Sequence, residues 1–426
     1  MRVGYRLSMA ETWIGSQVVL RSSEIAQDGD LLHTIEKSIS RAAESGTLNA
    51  LMIWADAGLD EVARITRICR DWGVQAYLWL PLLADTYGYE IKEKDLVVTA
   101  EGQRGNGWIG RWGLLGSNAE EFLFVCPNND AGVEKIFSVY SSLMDGLDLD
   151  GVMLDRIRYP SFVNGFETLY TCFCDHCRHR FTAETGRDFD KLRFEVRKFI
   201  NSLSSWRNDN LPDWENLEAF YHSPGLQELL RFRKKSIQRV VERYSKYARS
   251  RGLSVGLDLF SPSLAGMVGQ DYHALSACSD WIKPMIYCHA VGPAGLPLEL
   301  SCLSDALSAL CTNLNEIDSL QFLSNTIGWN LPPSVKQLLR AGITESILSG
   351  EIDMIKSLSS SERVRIFPGI EAVRHPGFGI DIRIETLDRY LESLPNWISG
   401  VIASWNLLYI PIENLRYLTG RLRRHS

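Results

Sequence analysis

Asp150-Gly151-Val152-Met153-Leu154-Asp155-Arg156-Ile157-Arg158-Tyr159-Pro160 is the stretch from which the rest of the chain can be ordered. Gly151 to Leu154 form an apolar run without a polar face, as a strand buried on both sides of a parallel sheet requires. Asp155 is the first charge after it, and Pro160, which has no amide hydrogen, forbids further pairing. In a parallel barrel, a carboxylate at the C-terminal end of a strand points into the mouth where active sites are built. An aspartate that merely caps the next turn would look the same locally. The surrounding chain has to choose between the two.

Upstream, Leu51-Met52-Ile53-Trp54 and Gln75-Ala76-Tyr77-Leu78-Trp79-Leu80 read as strands, and Val3-Gly4-Tyr5-Arg6-Leu7 as the first strand. Helical spacing precedes the two later ones, with Leu31, Ile35, Ile39 and Ala42 on one face of 31–43 and Val62, Ile65, Ile68 and Cys69 on one face of 61–72. A helix over 132–144 leads into the Asp155 strand. Downstream, strands are expected at 254–260, 281–287, 365–371 and 400–405. Helices are expected at 226–249, 301–313, 334–348, 384–394 and 412–424. Eight strands alternating with helices across the chain predict a single α/β domain, a (β/α)8 TIM barrel over 1–426. The rhythm breaks twice, giving expected insertions at about 84–125 and 161–225.

The 426 residues are 45% hydrophobic and 23% charged, ordinary for a globular protein, and the net charge of −7 offers no basic footprint for nucleic acid. Met1-Arg2-Val3-Gly4-Tyr5-Arg6 lacks the apolar run of a signal peptide, and no apolar window is long enough to span a membrane. Nine cysteines in such a chain point to a reducing, cytoplasmic setting with thiols or metal ligands. No Gly-x-Gly-x-x-Gly or Walker A sequence appears, so no organic cofactor is expected. Nothing in the sequence decides for or against a homo-oligomer.

Cys172-Phe173-Cys174-Asp175-His176-Cys177 is the sharpest metal signal. Three thiols in C-x-C-x-x-C on a turn can face one ion, and a tetrahedral site needs a fourth ligand. Cys126 is the candidate, because the two insertions would then meet at one end of the barrel; His176 and His179 are alternatives. Four thiolates without a redox partner suggest structural Zn²⁺.

The lone Cys126-Pro127-Asn128 followed by Cys172-x-Cys174-x-x-Cys177 resembles the zinc site of family 42 bacterial beta-galactosidases. The Asp150–Pro160 stretch resembles the D-G-[IV]-x-L-D-Y-I-R-Y-P motif of uncharacterised glycoside-hydrolase-like barrels, and Asp280-Trp281-Ile282-Lys283-Pro284-Met285-Ile286-Tyr287 resembles their sixth strand. The resemblance spans about Cys126 to Tyr287. It implies a barrel that hydrolyses glycosides. Family 42 has an Asn-Glu pair at strand four, where this chain has Asp155-Arg156. The resemblance therefore carries the zinc ligands but not that acid. An Asp at this strand end is similar to barrels of the alpha-amylase or alpha-galactosidase type, where it is the nucleophile. That role alone carries over to Asp155.

Glycoside hydrolysis needs two carboxyl groups flanking the bond. Asp155, Asp258 and Glu371 all fall at expected strand ends. Asp155 is the expected nucleophile, with Arg156 or Arg158 keeping it ionised. The acid/base is Glu371 or Asp258. Glu371 is favoured because Ile370 and Ala372 would bury it and raise its pKa. Tyr287 and Trp405 at strand ends, and Trp79 on strand three, are candidate platforms for a sugar ring. Asn406, Arg158, His289 and His375 are candidate polar contacts. Trp108 and Trp112, in a glycine-rich loop, are candidate stacking walls. Two other readings stand beside the hydrolase: a barrel that binds carbohydrate without cleaving it, and a lyase or isomerase whose arginines hold a sugar acid.

Overall fold

The computed structural model describes residues 12–56, 58–104, 123–359, 364–375 and 380–425. Eight parallel strand positions close into a ring: β1 (Trp13–Arg21), β2 (Ala50–Asp56), β3 (Gln75–Pro81), β4 (Gly151–Asp155), β5 (Ser254–Phe260), β6 (Trp281–Met285), β7 in two pieces (Arg365–Ile366 and Gly369–Glu371) and β8 (Gly400–Ser404). Each pairs with its neighbours in sequence, and β8 returns to β1 with Trp13 opposite Gly400. Helices intervene between strands. This is the (β/α)8 barrel that the strand count predicts.

Three expectations change along the chain. The segment Val3–Leu7 lies outside the described residues, and the first barrel position is taken by Trp13–Arg21. The seventh strand is broken, because Pro368 has no amide hydrogen to give the ladder. The ring stays closed there through the Pro368 carbonyl, which accepts from Ile402 N at 2.9 Å. The helix expected over 334–348 is two, Val335–Ala341 and Ile347–Leu358, separated at Gly342 with φ +77°.

Alternation along each strand builds two cores. Outward residues such as Ile14, Leu51, Leu78, Val152, Leu257 and Ile282 pack with the helices. Inward residues Trp13, Met52, Tyr77, Met153, Trp281, Phe367 and Ile402 fill the lower barrel. Trp13 stacks on Phe367 at 4.2 Å, and Tyr77 meets Trp281 edge-on at 5.5 Å. Such large rings need gaps in the wall. A Cβ on Gly256 would sit 2.1 Å from the Trp281 ring, and one on Gly151 2.5 Å from the Tyr77 ring. Above this apolar floor Gln17, Asp155, Asp258 and Lys283 join Trp54 and Trp79 in lining a cavity toward the C-terminal ends of the strands.

The two insertions meet beside the barrel. Phe173 N of the second donates to Val98 O of the first at 2.8 Å, and the first is closed on itself by Cys126 N, which donates to Asp95 O at 2.8 Å. The helices Asp175–Thr185 and Phe189–Ser202 belong to the second insertion. No helix among the described residues is long and apolar enough to cross a membrane.

Candidate active site

Three adjacent strands supply the centre of the mouth. Leu154 pairs with Leu257, so Asp155 and Asp258 follow at one level on β4 and β5. Asp258 pairs in turn with Lys283 on β6. Parity turns all three side chains inward, and all three line one cavity of about 560 Å³. Gln17, Trp54, Trp79, Arg156, Arg158, Tyr287, Trp405 and Asn406 also line it.

Asp155 is 7% exposed. Its Oδ2 accepts from the Trp79 indole N–H at 2.8 Å, and its Oδ1 accepts from Arg156 N at 2.5 Å. Arg156 Nε stands 3.9 Å from Oδ2, while the Arg156 guanidinium pairs with Asp85 at 3.2 Å. Arg156 and Asp85 are both non-glycine residues in the left-handed region, at φ +52° and +51°. Such conformations cost about 1–3 kcal/mol each and persist where their surroundings hold them.

Asp258 has a different environment. Its Oδ2 accepts from Lys283 Nζ at 2.9 Å, and its buried Oδ1 has no hydrogen-bond partner among the described residues. Burial, reinforced by the negative charge on Asp155, pushes its pKa up to about 7 despite Lys283. Burial works against the charge on Lys283 too, but Asp258 and Tyr287 outweigh it, and the lysine stands above its ordinary pKa. Lys283 Nζ also reaches across the barrel to Gln17 Oε1 at 2.9 Å. Ser404 Oγ donates to the same oxygen at 3.1 Å and accepts from Tyr287 Oη at 2.9 Å. The polar layer is thus one connected network from β5 to β8.

Glu371 does not face this cavity. It is fully buried, and its carboxylate accepts from Cys288 N at 3.0 Å, His289 N at 2.9 Å and the Tyr390 hydroxyl. Burial raises its pKa, as the sequence reading expects. The carboxylate fastens the turn after β6. His289 bonds Glu345 at 2.8 Å and is not among the cavity residues. His375 stacks edge-on against Tyr409 at 4.3 Å. Trp79, Arg158, Tyr287, Trp405 and Asn406 do line the cavity. The Asn406 side chain also caps the turn that follows, accepting from Leu408 N at 3.2 Å. Trp108 and Trp112 lie outside the described residues.

Lys283 and Gln17 escape the sequence reading. Lys283 had a visible signal, a lone charge inside the apolar run Trp281-Ile282-Lys283-Pro284-Met285. Gln17 had none once the first strand was placed upstream of it.

Away from the mouth, Cys126, Cys172, Cys174 and Cys177 are all buried, with their sulfurs within 4.8 Å of one another. Cys126 Sγ lies 3.4 Å from Cys177 Sγ and 3.5 Å from Cys174 Sγ. Val98 N donates to Cys172 Sγ at 3.3 Å, and the Asn128 amide donates to Cys177 Sγ at 3.2 Å. His176 and His179 are not part of the cluster.

No protein-family model matches this chain, and no curated protein matches it. Solved structures that resemble it include the catalytic domain of beta-amylase from Paenibacillus polymyxa, at 9% identity and TM-score 0.49, covering 98% of both chains. The spore cortex-lytic enzyme of Bacillus megaterium aligns at 10% identity and TM-score 0.42, over 95% of this chain and 73% of that one. An alpha-galactosidase from Thermus thermophilus in complex with stachyose aligns at 11% identity and TM-score 0.39, over 99% and 66%. Overlap this loose leaves the chemistry to be read from the side chains of this chain.

Proposed function

We propose that this chain hydrolyses O-glycosidic bonds, with Asp155 as nucleophile and Asp258 as acid/base. The observation that carries the reading is the pair itself: two carboxyl groups at one level on adjacent strands, facing one cavity, in unlike environments. Neighbouring strands lie about 4.8 Å apart, close to the ~5–5.5 Å between carboxyls in retaining enzymes. Asp155 receives two N–H donors, from the Trp79 indole and the Arg156 amide. Asp258 is buried with one oxygen unpaired, which favours the acid.

In the first step Asp258 gives its proton to the glycosidic oxygen as the C–O bond breaks, and Asp155 attacks the anomeric carbon to form a glycosyl ester. In the second step Asp258 takes a proton from water, which displaces Asp155 and restores both groups. Trp54, Trp79, Tyr287 and Trp405 provide ring faces for the sugar.

Asp155→Asn keeps shape and removes the nucleophile. Turnover of any glycoside substrate should fall by several orders of magnitude while folding survives. Asp258→Asn should spare substrates with good leaving groups, which need little protonation. Near-normal turnover by Asp155→Asn would sink the assignment. Sugar binding without hydrolysis of any glycoside by the unaltered protein would favour a binding barrel instead.

For the cysteine cluster we propose one structural Zn²⁺. Four sulfurs at about 2.3 Å from a tetrahedral ion lie about 3.8 Å apart, close to the separations found here. Soft thiolates suit zinc, and the donors from Val98 and Asn128 would stabilise the sulfurs' charge. The ion would tie the insertion after β3 to the one after β4.

A further inference from the structure

Four cationic side chains line the cavity: Arg21, Arg156, Arg158 and Lys283. Lys283 is held by Asp258 and Arg156 by Asp85, and Arg21 faces Asp56, whose carboxyl feels its charge. Arg158 differs. It is 3% exposed, and no carboxylate lies within ion-pair distance of it among the described residues. Its one hydrogen bond runs from Nη1 to the Tyr159 carbonyl at 3.1 Å.

A buried cation without an anion is costly. Glu299, Asp155 and Asp85 act on Arg158 through space, but none pairs with it, and its immediate surroundings hold it in place. Its guanidinium lies over the Phe124 ring at 4.6 Å and the Phe260 ring at 4.7 Å. Two ring faces fix the position of the guanidinium and supply cation–π stabilisation. They offer no hydrogen-bond acceptor, so the remaining N–H donors are left for something entering the cavity. Nearby Glu299 does not supply it. Its oxygens accept from Ser161 Oγ at 2.9 Å, Ala294 N at 2.9 Å and Val163 N at 3.3 Å.

We infer that Arg158 is the anion subsite of the cavity and that the sugar bound there carries a carboxylate, as a hexuronic acid does. This deepens the glycosidase reading and rests on it for the reaction, though not for binding. A held guanidinium offers paired N–H donors that match the planar fork of a carboxylate, which accepts two parallel hydrogen bonds. A tetrahedral sulfate ester shares the charge but not that planarity. Arg158 is thus a specificity-determining residue, placed three positions after the nucleophile on the loop leaving β4.

The test begins with binding to the unaltered protein, followed by the indole fluorescence of the cavity tryptophans. The probes are glucuronic and galacturonic acid, glucose and galactose, and the 6-sulfates of the two neutral sugars. A uronic acid should bind about 10- to 100-fold more tightly than its neutral counterpart, the range expected of charge-assisted hydrogen bonds. Arg158→Met should abolish that preference, and Arg158→Lys should restore only part of it. Equal binding of acidic and neutral sugars would overturn the inference, and tighter binding of a 6-sulfate than of the uronic acid would overturn the carboxylate. Nitrophenyl glucuronides and galacturonides of both anomers, beside the matching neutral glycosides, separate the two claims. Hydrolysis of neutral glycosides alone defeats the inference and leaves the glycosidase reading standing. Arg158-dependent binding of uronic acids without hydrolysis of any glycoside supports the inference and defeats the glycosidase.

Discussion

Lys283 Nζ stands 2.9 Å from Asp258 Oδ2 inside the barrel, and neither side chain is more than 2% exposed. The lysine stays charged while the carboxyl titrates near 7. In the proposed mechanism Asp258 is, below that pH, the acid of the first step; above it the proton is gone. Turnover should therefore fall on the alkaline side with an apparent pKa of about 7. Lys283→Met removes a charge that lowers the Asp258 pKa, so the alkaline limb should move to higher pH. A pH–rate profile of both proteins checks this, and an unmoved limb would detach Asp258 from the chemistry.

Stability should follow the same proton. The folded state holds it up to about pH 7, whereas an unfolded aspartate releases it near 3.8. The contribution of Asp258 is therefore full below about pH 4 and is lost as pH rises through 7. Lys283→Met leaves that carboxyl buried without its cation. The variant should lose about 3 kcal/mol or more above pH 8, and less at pH 5, where a proton can replace the lysine. Denaturant melts at the two pH values measure the difference.

Asp155 is coupled to Asp258 by charge. Its carboxylate raises the pKa of its neighbour, so Asp155→Asn should lower the Asp258 titration midpoint. Carboxyl carbon chemical shifts read this without substrate. An unchanged midpoint would mean that the two groups do not share a site.

Glu371 is expected to matter for folding rather than for proton transfer. Glu371→Ala would strand His289 N and the Tyr390 hydroxyl hydrogen and leave Cys288 N with only its 3.2 Å bond to Tyr390 Oη. Each orphaned group costs about 1–3 kcal/mol, so a clear fall in melting temperature should follow. Among variants that still fold, Glu371→Gln should not change the ratio of rates for good and poor leaving groups, whereas Asp258→Asn should. A leaving-group effect in Glu371→Gln would return the acid role to Glu371.

The cysteine cluster should yield one zinc per chain by elemental analysis of protein purified under reducing conditions. Cys126→Ser should release it and loosen the contact between the two insertions, lowering the melting temperature while the barrel strands keep their circular dichroism. Metal-free protein from a reducing preparation would mean that the four thiols pack as apolar groups.

The barrel itself was legible in the order of residues. Short apolar runs ending in a charge or a proline, separated by runs of helical spacing, leave a parallel closed sheet as the economical way to bury both faces of every strand. Gly151–Asp155 and Ser254–Phe260 could be placed from that pattern alone. So could Cys172, Cys174 and Cys177 as one group, because ligand spacing on a turn is a local property; Cys126 joins them only through the meeting of the two insertions. The sequence also offered Asp155, Asp258 and Glu371, each a carboxylate closing a strand, with Asp155 as nucleophile and Glu371 favoured over Asp258 as the acid. What separated them was partnership across the barrel. Glu371 meets the turn after β6, Asp258 meets Lys283 on the next strand, and Asp155 meets Trp79 on the one before. Strand alternation tells which way a side chain points. Only closure of the ring decides which groups, hundreds of positions apart, it points at, as when Lys283 reaches Gln17 on β1.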